Sequence, residues 1–130
     1  MNIARALAPA AAVTLTAVLI GSAAPAMAKD GRITRSGACS SGATWKMKAS
    51  PENGRIEVET EIDSNRNGQV WAWTLTHNGG GALRGTGTTK APSGSFEVRR
   101  VLGNQAGTDT FALTATRKGT SQVCRAQIRF

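Results

Sequence analysis

Apolar and polar residues alternate with a period of two along most of the chain after residue 30, and no stretch there carries the 3.6-residue period of an amphipathic helix. The clearest run is Arg55 to Asp63, where Ile56, Val58, Thr60 and Ile62 fall on one face and charged side chains on the other. Trp45, Met47 and Ala49 alternate with Lys46 and Lys48, and Trp71, Trp73 and Leu75 alternate with small or polar residues. Phe111, Leu113 and Ala115 repeat the pattern, as do Cys124, Ala126, Ile128 and Phe130 against Arg125, Gln127 and Arg129. Asn-Gly pairs at 53–54, 67–68 and 78–79 are tight-hairpin signals, because both residues tolerate positive φ. Strands are therefore expected near 32–40, 43–49, 55–63, 69–77, 82–90, 95–102, 108–117 and 121–130. Seven or eight short antiparallel strands in about 100 residues predict an all-β sandwich, with a small closed barrel as the alternative.

The first 28 residues read differently. Arg5 precedes an uncharged apolar run from Ala6 to Ile20, Gly21 and Pro25 break it, and Ala26-Met27-Ala28 fits a signal-peptidase site. The run is shorter than the roughly 20 residues a spanning helix needs. The expectation is a cleaved signal peptide, 1–28, no retained membrane segment, and an extracellular domain, 29–130. Without Arg5, 15 basic residues face 8 acids, a net charge of about +7. Such a charge suits polyanionic or carbohydrate surfaces of the envelope, and it also keeps an exported protein soluble. The two cysteines, Cys39 and Cys124, are expected to form one disulfide in an oxidising compartment, tying the first strand to the last.

Candidate chemistry is sparse. Asp63, Asn65 and Asn67 with Gly68 resemble the opening of a calcium loop, but the twelfth position is Thr74 where a bidentate Glu is needed, and turn capping explains the same residues. Trp71 and Trp73 share a face, with Trp45 as a third ring, so they form either a sugar-stacking platform or part of the core; Leu75 on that face favours the core. His77, the sole histidine, has no evident nucleophile or acid partner, and no zinc set exists. Glu57, Glu59 and Glu61 beside Arg55 read as a solvated strand edge rather than a glycosidase pair. Lys46, Lys48, Arg99 and Arg100 would form a basic patch if their strands were neighbours, though specific nucleic-acid binding also needs exposed aromatics. No cofactor is expected.

The segment Gly68 to Gly79 resembles strand C of immunoglobulin-like domains, with its core tryptophan, and Ala106 to Phe111 resembles their E–F corner, with Phe111 where Tyr is common. The whole chain after residue 28 also resembles small secreted actinobacterial proteins of unknown function, through Trp45-Lys46-Met47-Lys48, Asp63 to Gly68, Ala91 to Phe96, and Ala106 to Asp109. The resemblance implies an immunoglobulin-like β-sandwich and an extracellular address, but no activity. A first-to-last disulfide departs from the usual immunoglobulin bridge, so no antibody-like role is implied. The sequence thus predicts a secreted, non-catalytic binding module, with a purely structural extracellular protein as the alternative.

Overall fold

The computed structural model describes residues 31–130, so the expected signal peptide and the chain start at Lys29 lie outside the described residues. Eight strands follow one another: β1 (Ile33–Ala38), β2 (Thr44–Glu52), β3 (Arg55–Asp63), β4 (Val70–His77), β5 (Gly80–Thr88), β6 (Ser95–Gly103), β7 (Thr110–Arg117) and β8 (Val123–Arg129). They form two four-stranded antiparallel sheets, ordered β1-β2-β3-β6 and β5-β4-β7-β8. The alternation read from the sequence sets the inward faces. Met47, Ile56, Val58, Thr60 and Ile62 from the first sheet meet Trp71, Leu75, Phe111, Leu113 and Ile128 from the second, all nearly or fully buried. Two stacked sheets with these facing side chains make a sandwich core.

Turn chemistry decides where the chain stays within a sheet. Asn53-Gly54 (φ 48° and 76°) joins β2 to β3, and Asn78-Gly79 (φ 51° and 77°) joins β4 to β5, both as tight hairpins. Asn67-Gly68 behaves otherwise. Its segment carries the chain across from β3 in one sheet to β4 in the other, and only Gly68 of that pair has positive φ. The crossing loop is fixed from outside: Thr89 Oγ1 donates to the Arg66 carbonyl at 2.6 Å, and the Ser64 amide donates to the Gly94 carbonyl at 3.0 Å.

The two long sides of the sandwich close by different means. On the β1/β8 side, Cys39 and Cys124 form a disulfide with Cα atoms 4.4 Å apart and a sequence separation of 85. Cys39 lies one residue beyond β1, at the start of a short 3-10 turn (Ser40–Gly42), rather than inside the strand. On the β5/β6 side the closure is by close approach. A Cβ added at Gly87 would collide with the Phe96 ring of β6, across the sheets, and one at Gly85 would lie 2.5 Å from Cζ2 of Trp73 on the adjacent β4. The backbone of β5 therefore rests directly on two aromatic rings, which only glycine permits.

Candidate binding surface

Of the two roles the sequence left to Trp71 and Trp73, the structure gives them the core, which the shared phase with Leu75 favoured. Both side chains point between the sheets, with Trp71 fully buried and Trp73 5% exposed. Trp71 lies 6.4 Å from Phe96, and the Arg100 guanidinium sits 5.0 Å above the Trp73 ring. Trp45 belongs to the other sheet, half-buried against the core and lying over Gly37 of β1. The three rings are hydrophobic payload spread over two layers, so they present no common stacking surface.

The loop at Asp63 is held by its own backbone. Asp63 Oδ1 accepts the Asn65 amide at 2.8 Å, an Asx turn that places Asn65 at φ 57°. Asn67 follows on the exposed part of the same loop. His77 lies at the end of β4, where its Nε2 is 2.5 Å from Oδ1 of the fully buried Asp109. Its ring stacks on Phe111 with centroids 4.6 Å apart. Asp109 also accepts the Gln105 amide at 3.3 Å, so the pair ties β4 to the loop ahead of β7.

The charged residues are where the structure most changes the sequence reading. Lys46 and Lys48 on β2 do not adjoin Arg99 and Arg100 on β6, because β3 runs between them. In register, Lys46 faces Glu61 and then Glu97, and Lys48 faces Glu59 and then Arg99. Arg99 pairs with Glu57 and reaches Glu59 at 3.6 Å. The glutamate row thus occupies a central strand, not an edge, and it is matched by cations on both neighbours. The Arg99 hydrogen bond holds the Glu57 carboxyl below the usual glutamate range, while burial, followed by the neighbouring Glu57, pushes Glu59 up. In the four strands of this sheet six cations (Arg35, Lys46, Lys48, Arg55, Arg99, Arg100) meet six acids (Glu52, Glu57, Glu59, Glu61, Asp63, Glu97).

The other sheet is entirely different. Its strands hold Arg84, Arg117, Arg125 and Arg129 and no aspartate or glutamate. Arg117 is partly buried and binds Gln122 Oε1 at 3.3 Å, but Arg84, Arg125 and Arg129 alternate with inward positions and are exposed on the outer face. Around them the face is small and hydroxylated: Thr74 and Thr76 on β4, Thr86 and Thr88 on β5, Thr114 and Thr116 on β7. Strand register aligns Arg84 with Thr74, Thr74 with Thr114, and Thr114 with Arg125, one straight row across all four strands. Sequence reading overlooked this row, although the signal was visible. From Val70 to the end of the chain the acids are Glu97 and Asp109, neither in these four strands.

A shallow groove of about 500 Å³ also runs beside β5, but its walls oppose Lys90 to Glu61 and Glu97, so no one sign of charge prevails. No family model, curated protein or solved structure matches the chain.

Proposed function

We propose that this is a secreted, non-catalytic binding module that engages an anionic polymer of the cell envelope, an acidic polysaccharide included, through the outer face of the β5-β4-β7-β8 sheet. The observation that carries the reading is the partition of charge between the sheets. Cations and acids balance on one, while the other presents exposed arginines with no acid among its strands. A flat surface of one sign attracts polyanions over roughly a Debye length, and Arg84, Arg125 and Arg129 have no ion pair within the described residues to compete. Arginine's planar fork suits carboxylate, sulfate and phosphate alike.

The proposal includes the immunoglobulin-like type of the sandwich and the extracellular address. The strand order supports the first: β4, with the buried Trp71, lies between β5 and β7 in one sheet, and β3 pairs with β6 in the other. The Ala26-Met27-Ala28 site and the disulfide support the second. Affinity electrophoresis in gels containing polygalacturonate, or neutral dextran as control, tests the binding. Retardation is expected in polygalacturonate alone. The triple replacement Arg84→Gln, Arg125→Gln, Arg129→Gln should weaken it about 100-fold, at about 1 kcal/mol per arginine near an anionic surface. Equal retardation of the triple variant and the wild type would refute the assignment of the face.

A further inference from the structure

We infer that the ligand chain lies across the strands, along the Arg84–Thr74–Thr114–Arg125 row, and is recognised through regularly repeated oxyanions rather than through its rings. The inference rests on the binding reading above and adds the direction and chemistry of recognition. Arg84 and Arg125 stand at the two ends of one register row, on the edge strands β5 and β8. Three interstrand gaps separate them, about 14 Å. Between them Thr74 and Thr114 present hydroxyls on the same outer face, so an anionic chain crossing the sheet meets guanidinium, hydroxyl, hydroxyl, guanidinium in order. No aromatic side chain lies at an outward position of these strands, since Trp71, Trp73 and Phe111 all turn inward. Neither a sugar ring nor a base finds a ring to stack on there. The other direction, along β8 from Arg125 to Arg129, offers only Gln127 between the two guanidiniums.

A row with a cation at each end is a two-point clamp, and it makes affinity depend on ligand length. A chain shorter than about 14 Å reaches one arginine, whereas a longer one reaches both, the second contact gaining from effective concentration. Inorganic triphosphate and a long-chain polyphosphate of several dozen units are suitable probes, compared by calorimetry at low salt and per mole of phosphate. The long chain should bind more than about tenfold tighter per phosphate. Arg84→Gln and Arg125→Gln should each abolish that length step, while Arg129→Gln retains it. Thr114→Val, nearly isosteric and suited to a strand, should weaken the long chain severalfold and leave triphosphate unchanged. Urea midpoints confirm that each variant is folded. A wild type that binds the long chain with no length step overturns the clamp but leaves the binding face standing. Loss of the step in Arg129→Gln, as complete as in Arg84→Gln, overturns the crossing direction. Single-stranded DNA of matched charge binding much more tightly than polyphosphate would show that bases are read, against the oxyanion chemistry. A wild type that binds no polyanion at all removes the functional reading itself.

Discussion

Gly85→Ala tests the way β5 is laid on the core. The residue has an ordinary extended backbone, so the substitution is strained by space alone. Its new methyl would sit 2.5 Å from Trp73 Cζ2 and 2.8 Å from Cε2, where carbon pairs are comfortable near 3.5–4.0 Å. The Trp73 ring cannot simply retreat, being 5% exposed with the Arg100 guanidinium 5.0 Å above it. Overpacking of this kind costs about 1–3 kcal/mol. Removing a glycine from the unfolded chain returns about 0.4–1 kcal/mol. The difference leaves a net loss of about 1–2 kcal/mol, which in a domain of this size lowers Tm by about 5–10 °C. Gly103→Ala, at the end of β6 with nothing within 4 Å of its added Cβ, is the matched control and should be neutral or slightly stabilising. Urea unfolding followed by far-ultraviolet circular dichroism reads both variants, since tryptophan emission would report the perturbed ring itself. If Gly85→Ala and Gly103→Ala melt together, β5 does not rest on Trp73, and the placement of Arg84 next to Gly85 loses its anchor.

Two further outcomes follow from the frame. The double replacement Cys39→Ala with Cys124→Ala opens a loop of 85 residues' separation and should cost about 2–5 kcal/mol, seen as a lower urea midpoint than the oxidised wild type. Glu57 titrates below the ordinary glutamate value because Arg99 hydrogen-bonds it, so the pair stabilises the fold above the unfolded value and loses that contribution as pH falls through the lower folded one. Arg99→Gln should therefore narrow the gap between the urea midpoints at pH 7 and pH 3; an unchanged gap would mean the pair does not form in solution.

β2, β3, β4, β7 and β8 were legible in the sequence because each buries mainly one face, and such a strand writes its burial as alternation. Trp71 and Trp73 were legible for the same reason, sharing a phase with Leu75 that the core requires. Partnership between strands was not legible. Asn67-Gly68 carries the same local signal as Asn53-Gly54, yet contacts from Thr89 and Gly94, more than twenty residues later, turn it into a crossing between sheets. The charges depended on the same missing knowledge. Lys46 and Glu61 are distant in sequence and adjacent in register, so the balance of one sheet and the bare arginines of the other emerge only when strand order is known. A count of acids strand by strand marks β4, β5, β7 and β8 as acid-free but marks β1 as well, and only the strand order gathers the first four into one sheet.

The partition of charge requires that one sheet, and not the other, meets a polyanion. Backbone amide chemical shifts recorded while long-chain polyphosphate is titrated into the ¹⁵N-labelled domain test it most directly. Shifts are expected on β4, β5, β7 and β8, strongest around Thr74, Arg84, Thr114 and Arg125, and fading as salt is raised. Shifts centred on Lys46, Lys48 and Arg99 of the opposite sheet would contradict it.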